Sequence, residues 1–262
     1  MELTSPKLYH QDEYDLQVYL TSYFSSTTDN AILEHALRKP MTFLYNGFSS
    51  GQIKGDHLID LSAGPIIFPL IPIFEYFKEI TILKCYDSCV KELKKWIQSD
   101  EDAFDWHVAF KYMMELEGNS EGWEAKEEKL KKSINHVLKC DLSKESLVDT
   151  DLVPTADCLF TAWILDVVSE DKTSYRQNLK KISSLIKPGG HLVMIADINT
   201  SWILVSGHKF HVLSYDEVFL KNALKDEGYS IKCYETVERE VDTDICDYKK
   251  VVFVIAYKER EA

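Results

Sequence analysis

The sequence predicts an α/β fold built on a mostly parallel β-sheet with helices on both faces. Short apolar runs of strand length alternate with amphipathic stretches of helix length along the middle of the chain, a pattern typical of parallel sheets. The first run passes directly into the turn Ser62-Ala63-Gly64-Pro65, and nucleotide-binding domains hold a cofactor at such a junction. We expect one domain over residues 1–262, in which residues 1–50 form a helical cap.

Composition excludes several classes of function. The chain has 262 residues, 45% of them hydrophobic, and a formal net charge of −13. It can therefore bury a full core, but its charge opposes binding to nucleic acids and anionic membranes. No apolar run reaches the length of a membrane span, and the first residues lack the pattern of a signal peptide. We expect a cytoplasmic monomer whose partner is a small molecule.

The first half of the chain contains helical segments around two strands. Aromatic residues recur at helical spacing in the first segment. Pro69 and Pro72 follow the turn, and an interior proline costs a helix about 3 kcal/mol, so we expect only a short, kinked or 3₁₀ segment there. The predicted elements are helices Tyr14–Phe24, Ala31–Phe48 and Ser88–Gln98 and strands Leu58–Leu61 and Glu79–Lys84.

The second half continues the alternation and ends in a hairpin. Apolar side chains between residues 130 and 138 share one helical face, which predicts a helix over Trp123–Leu138. Ser214 and Glu217 have the spacing of a capping box for the last helix, which ends at Gly228. The other predicted elements are strand Cys158–Ala162, helix Thr173–Ile186, strand His191–Ile195 and the antiparallel strands Ser230–Glu238 and Val251–Tyr257.

Six cysteines occur without a CxxC pair, which favours reduced thiols in or near the core. Cys85 and Cys89 would share a helical face, but two thiols alone make a poor metal site. We therefore expect no metal.

Several segments occur in an order and spacing that resemble one family of enzymes: LIDLSAGP, AFDW, ELEGNSEGWEAKEEKL, VLKCDL, ADCLFTAWILD and LIKPGGHLV. The chain resembles the nicotinamide, phenylethanolamine and indolethylamine N-methyltransferases from about Tyr14 to Tyr257. The resemblance implies a Rossmann-like class I methyltransferase fold with a seven-stranded sheet. It also implies S-adenosyl-L-methionine as cofactor and a small amine or aza-heterocycle as the methyl acceptor.

The cofactor loop departs from the family pattern, which reads D-I-G-S-G-P-T-I-Y. In this chain Ser62 replaces a glycine and Phe68 replaces the tyrosine. Lys84 stands where the family has the aspartate that binds the ribose, and an ammonium can only donate hydrogen bonds. Asp87 is the alternative carboxylate for the ribose. Cys89 replaces the asparagine that follows.

The resemblance carries over two sets of candidate residues and assigns no catalytic residue. Asp141 matches the family's adenine contact, although it also suits a cap of its own loop, and Ala162 replaces a family threonine. Ala196 and Val212 stand where the family has a substrate-binding aspartate and serine. The cofactor candidates are Tyr19, Tyr23, Phe24, Ser62, Ala63, Gly64, Phe68, Lys84, Cys89, Asp141, Leu142 and Ala162. The substrate candidates are Tyr19, Trp163, Asp166, Ala196, Asp197, Thr200, Ser201 and Val212, with Trp202 beside them.

Two interpretations remain open at this point. The first is an S-adenosylmethionine-dependent N-methyltransferase, because methyl transfer needs alignment and desolvation more than an acid or base. The second is a pseudoenzyme with a ligand-binding, storage or scaffold role, in which Lys84 suggests an anionic group. It is favoured by the number of replaced ligand positions in the cofactor and substrate sites.

Overall fold

The computed structural model describes residues 15–119, 121–148, 153–205, 208–240 and 245–259. Most strands form one seven-stranded sheet, and two form a separate small hairpin. In chain order the strands are β1 (Gly55–Asp60), β2 (Phe77–Lys84), β3 (Ile134–Lys139), β4 (Ala156–Ala162), β5 (Ile186–Ile198), β6 (Trp202–Val205), β7 (His208–His211), β8 (Tyr229–Glu238) and β9 (Lys250–Lys258).

The sheet has the order β3-β2-β1-β4-β5-β9-β8. The strands β1 to β5 are parallel, whereas β9 is antiparallel to both β5 and β8. The predicted parallel sheet with a closing antiparallel hairpin is confirmed. After β1 the chain moves outward to β2 and β3 and then returns to place β4 on the other side of β1. Ligands of open α/β sheets bind at such a reversal, outside the carboxyl ends of the strands.

Helices cover both faces of the sheet and form the N-terminal cap. They are α1 (Leu16–Phe24), α2 (Asn30–Leu33), α3 (Lys39–Ser49), α4 (Asp87–Ile97), α5 (His107–Leu116), α6 (Trp123–Ser133), α7 (Ile164–Val168), α8 (Lys172–Ser184) and α9 (Glu217–Asp226). A π-helical segment, Glu34–Arg38, joins α2 to α3. Tyr14, where the first helix was expected to begin, lies outside the described residues.

The segment between β1 and β2 has no α-helix. It contains two 3₁₀ turns, Phe68–Leu70 and Phe74–Tyr76, as Pro69 and Pro72 predict. A helix start with several free amides and an aligned dipole is therefore missing after the loop. Any ligand there must be held by the loop and by side chains.

The prediction of one helix over Trp123–Leu138 is wrong in its second half. The helix α6 ends at Ser133, and the next residues form β3 on the edge of the sheet, paired with β2. The spacing of Ile134, Val137 and Leu138 also fits one face of a helix. Pairing with the neighbouring strand β2 makes this short run a strand instead. The Asn135 side chain also accepts a hydrogen bond from the backbone of Ile80 at 3.0 Å.

The predicted capping box of the last helix is also wrong. Asp216, rather than Ser214, is the N-cap of α9, and its carboxylate accepts from the Phe219 amide at 2.8 Å. The carboxylate directly before the first turn is a favourable N-cap. The helix α5 and the β6–β7 hairpin were not predicted. No helix among the described residues is long and apolar enough to cross a membrane.

Two hydrophobic clusters lie on the two faces of the sheet. Along β5, Val193 and Ile195 point into the cluster that includes the cap helices. Leu192 and Met194 point into the cluster beneath α8 and α9. This alternation decides which side chains at the end of β5 face the cap.

Candidate functional site

A cavity lies between the N-terminal cap and the carboxyl ends of β1, β4 and β5. Its volume is about 100 Å³, and it is lined mainly by apolar and aromatic side chains. Its position is the strand-order reversal between β1 and β4. The candidates from the sequence that line it are Tyr19, Tyr23, Phe24, Ala63, Trp163, Asp166, Asp197, Thr200 and Val212.

Trp163 and Asp197 form a hydrogen-bonded polar pair in the cavity wall. The Trp163 indole Nε1 donates a hydrogen bond to Asp197 Oδ1 at 3.1 Å. Trp163 has φ 56°, a left-handed conformation that is unfavourable for a bulky residue and that occurs mainly at functional sites. Burial raises the pKa of Asp197 to about 7, although the indole bond opposes the shift. This carboxyl can therefore change its charge near neutral pH.

Of the two candidates at the end of β5, Asp197 faces the cavity and Ala196 does not. Ala196 belongs to the cluster beneath α8 and α9, because consecutive strand residues point to opposite faces. Asp197 lies one residue later and lines the cavity. The cavity wall therefore carries a carboxyl one residue after the position at which the family has its aspartate.

Asp166 and Thr200 bring further polar atoms to the cavity. Asp166 Oδ1 accepts a hydrogen bond from the Tyr215 hydroxyl, and burial raises the Asp166 pKa well above its ordinary value. Ser201 lies apart from the cavity lining. Its hydroxyl donates to Asp247 Oδ2 at 2.5 Å, and the same carboxylate accepts from its backbone amide. Trp202 packs against Lys209, also apart from the cavity lining.

The tyrosines of α1 close the cavity over the cofactor loop. Tyr19 and Tyr23 have ring centroids 5.1 Å apart. Gly64 has φ +66°, and a Cβ there would lie 3.0 Å from Tyr19 Cε1. A glycine is required because the backbone is left-handed and the tyrosine ring lies directly on it. The Ala63 amide donates to the Ala162 carbonyl at 2.8 Å, so this loop amide is used by β4.

Lys84 turns inward and pairs with the end of β1. Its Nζ lies 2.8 Å from Asp60 Oδ2 and 3.1 Å from the Ser62 carbonyl oxygen, and both charged side chains are 1% exposed. The Ser62 hydroxyl completes the network by donating to Asp60 Oδ1 at 2.6 Å. Ser62 and Lys84, which both depart from the family pattern, therefore belong to one buried hydrogen-bond network around Asp60. The ammonium has a buried counter-ion, which does not favour an anionic ligand at Lys84.

The remaining cofactor candidates have structural partners. Leu142 is buried. Asp141 accepts from the Ser143 amide and hydroxyl, and this hydroxyl bond is the main cause of its lowered pKa. Asp87, the alternative carboxylate, pairs with Lys139 at 2.5 Å. The buried candidates Phe24, Phe68, Cys89 and Ala162 belong to the core, where Phe24 lies 5.3 Å from Phe68 between ring centroids.

These contacts fit one end of S-adenosylmethionine and do not fit the other. Tyr19 lies directly on Gly64, and Tyr19 and Ala63 line the cavity, so these residues would hold the reactive end of the cofactor. At the ribose end, a buried ammonium stands in place of a carboxylate that would accept from two hydroxyls. We therefore derive no reaction step through the cofactor from this arrangement.

Some cavity residues were not foreseen from the sequence. His35, Tyr248 and Cys246 line the cavity. The imidazole of His35 lies 6.1 Å from the Tyr248 ring between centroids. His35 sits in the π-helical segment, and an irregular turn inside an apparently regular helix has no reliable sequence signal. Tyr248 lies in the loop before β9, between the two predicted antiparallel strands.

The fold is that of a class I S-adenosylmethionine-dependent methyltransferase. A crystal structure of magnesium protoporphyrin IX methyltransferase from Synechocystis with bound SAM is similar in fold, with a TM-score of 0.57 and 11% identity over 97% of this chain and 95% of that chain.

The model of the NNMT/PNMT/TEMT family matches residues 3–259, and the chain belongs to this family. It is 32% identical to nicotinamide N-methyltransferase of Homo sapiens, over 92% of this chain and 91% of that protein. It is 30% identical to indolethylamine N-methyltransferase of Mus musculus, over 95% of this chain and 94% of that protein. The resemblance stated from the sequence motifs is confirmed.

Proposed function

We propose that the protein is an S-adenosylmethionine-dependent N-methyltransferase whose acceptor is a small amine or aza-heterocycle. One observation carries the proposal: an aromatic cavity whose wall includes the Asp197 carboxyl also reaches the cofactor loop at Ala63. Aromatic faces and a carboxylate are the groups that hold a protonated amine or a flat basic ring. Family membership supports the same reaction class.

The chain's own residues would act by positioning and by excluding water. Asp197, oriented by Trp163, would accept a hydrogen bond from the amine, and the tyrosines of α1 would cover it. When bound, S-adenosylmethionine supplies a methyl group on a sulfonium that is already reactive. Alignment in a dry cavity is then the main contribution that the protein must make.

A second function is favoured by the Asp60–Lys84 pair. Loss of the ribose carboxylate removes a charge-assisted interaction of about 1.5–3 kcal/mol, which corresponds to about ten- to hundredfold in cofactor affinity. If the residual affinity is too low for use, the same cavity serves a ligand-binding, storage or scaffold protein that does not transfer methyl groups.

Titration with S-adenosylhomocysteine separates the two functions. For the methyltransferase, calorimetry shows saturable binding, and ligand at 100 times its Kd raises the free energy of unfolding by about 2.7 kcal/mol. A flat response at millimolar ligand excludes the methyltransferase and leaves the binding protein. The double variant Lys84→Asp/Ser62→Gly restores the family residues, so it should bind S-adenosylhomocysteine more tightly than the unaltered chain.

A further inference from the structure

Two free cysteines face each other at the carboxyl ends of β2 and β3. Cys85 Sγ and Cys140 Sγ lie 3.7 Å apart, and neither sulfur belongs to a disulfide. Both side chains lie on the same face of the sheet, at the cluster beneath α8 and α9. Cys140 is buried, whereas Cys85 is partly exposed, so a small oxidant in solution can reach one sulfur of the pair.

The backbone holds the two cysteines in the arrangement that a disulfide needs. They directly follow Lys84 and Lys139, which are register partners in the parallel strands β2 and β3. The Cys140 amide donates to the Lys84 carbonyl at 2.9 Å, so the ladder continues up to the two thiols. Neighbouring strands lie about 4.8 Å apart, which is within the Cα separation of about 4.4–6.8 Å found in disulfides. Rotation of the two side chains is then sufficient to bring the sulfurs to bonding distance.

A link at this place would act on the edge of the sheet. The strand β3 lies at the edge, with β2 as its neighbour, and the chain continues after Cys140 into a loop. Edge ladders open locally more readily than central ones because one side has no neighbouring strand. A covalent bond beside the last ladder hydrogen bond would hold this end of β3 closed.

We infer that Cys85 and Cys140 form a reversible intrachain disulfide that clamps the end of β3 to β2. The inference is independent of the proposed methyl transfer. With hydrogen peroxide as the oxidant, the Cys85 sulfur attacks one peroxide oxygen, the O–O bond breaks, and a sulfenic acid and water form. The Cys140 sulfur then attacks the sulfenic sulfur, and the hydroxyl leaves as water with the thiol proton. The two thiols lose two electrons and two protons, and the peroxide is reduced to two waters.

The first step should be slow and the second fast. The bond to Cys140 and burial raise the pKa of the Cys85 thiol, although Lys84 opposes the shift. Little of the nucleophilic thiolate is therefore present at neutral pH. Once the sulfenic acid has formed, the second sulfur is already in contact with it, and positioned groups react fast. The disulfide should therefore accumulate rather than a more highly oxidised sulfur.

Peptide mapping after oxidation tests the inference. The folded protein is treated with excess hydrogen peroxide, free thiols are blocked with N-ethylmaleimide, and the chain is digested with trypsin without reductant. We expect peptides 85–91 and 140–144 to be joined by a disulfide that dithiothreitol reverses. Because peptide 85–91 also contains Cys89, the variant Cys89→Ser should keep the link, whereas Cys85→Ser and Cys140→Ser should abolish it.

Cys233→Ser is the matched control. Cys233 is also a partly exposed free cysteine, but its thiol donates to Glu235 rather than to a second sulfur, so this variant should keep the link. If Cys140→Ser does not fold, Cys140→Ala takes its place. Two free, blocked thiols at positions 85 and 140 after peroxide treatment overturn the disulfide, and so does a sulfinic acid at Cys85 or a link from Cys85 to Cys89.

Hydrogen exchange tests the clamp separately. In the oxidised protein the Cys140 amide should exchange about tenfold more slowly than in the reduced protein, because opening of this end of β3 is restricted. Peroxide should leave this exchange unchanged in Cys85→Ser. Equal exchange in the linked and the reduced protein overturns the clamp.

Discussion

The Asp60–Lys84 pair gives the sharpest prediction on stability. Lys84→Met removes the ammonium and leaves the Asp60 carboxylate, 1% exposed, with the Ser62 hydroxyl as its remaining side-chain partner among the described residues. Breaking a buried pair from one side costs about 3–5 kcal/mol because the remaining charge is uncompensated. At about 2–4 °C per kcal/mol for a chain of this length, the melting temperature should fall by about 6 to 20 °C.

A double-mutant cycle shows whether the loss comes from the unpaired charge. Asp60→Asn/Lys84→Met removes both charges, and the amide oxygen at position 60 can still accept the hydrogen bond from the Ser62 hydroxyl. The free energy of unfolding should therefore return close to that of the unaltered protein. Urea unfolding of the four proteins with a constant m-value is the assay. A cost below about 1 kcal/mol for Lys84→Met, or a double variant that loses the sum of both single changes, refutes the reasoning.

Four further predictions concern the cavity and its loop. Burial raises the folded-state pKa of Asp197 from 3.8 to about 7, so between these pH values the folded protein holds a proton that the unfolded chain releases. The free energy of unfolding should therefore fall as the pH rises from about 4 to about 7. Asp197→Asn should flatten that part of the plot of unfolding free energy against pH. Affinity for a cationic amine should instead rise with pH through about 7, since the ionised carboxylate is the binding form; a calorimetric profile without this rise argues against Asp197. Trp163→Phe removes the indole donor and should weaken amine binding about tenfold, with Trp202→Phe as the control. Gly64→Ala should cost more stability than Gly228→Ala: both glycines have positive φ, but only the Cβ at position 64 meets Tyr19, whereas nothing lies within 4 Å at position 228. Equal costs would show that the tyrosine contact is unimportant.

Much of the fold follows from local patterns in the sequence. The central strands are near-continuous apolar runs, and the two prolines after the loop predict the 3₁₀ turns. The edge strand β3 was missed because Ile134, Val137 and Leu138 satisfy a helical period as well as a strand period. Only the ladder with β2 distinguishes the two.

The site was harder to predict because it depends on side-chain direction. The sequence places Lys84 at a ligand position, but it cannot show that the flexible side chain folds back onto Asp60 of the neighbouring strand. The register of β5 likewise decides between Ala196 and Asp197. His35 reaches the cavity through a π-helical turn, and the spacing of apolar residues gave no sign of it.

The protein is proposed to transfer a methyl group from S-adenosylmethionine to a small amine bound in this cavity. Incubation with S-adenosylmethionine that carries a deuterated methyl group, together with a panel of small aromatic amines, tests the claim directly by mass spectrometry. We predict a labelled N-methylated product from the unaltered protein, more of it at low cofactor concentration from Lys84→Asp/Ser62→Gly, and less from Asp197→Asn. The absence of labelled product from both the unaltered protein and the double variant, each shown to be folded, would contradict the account.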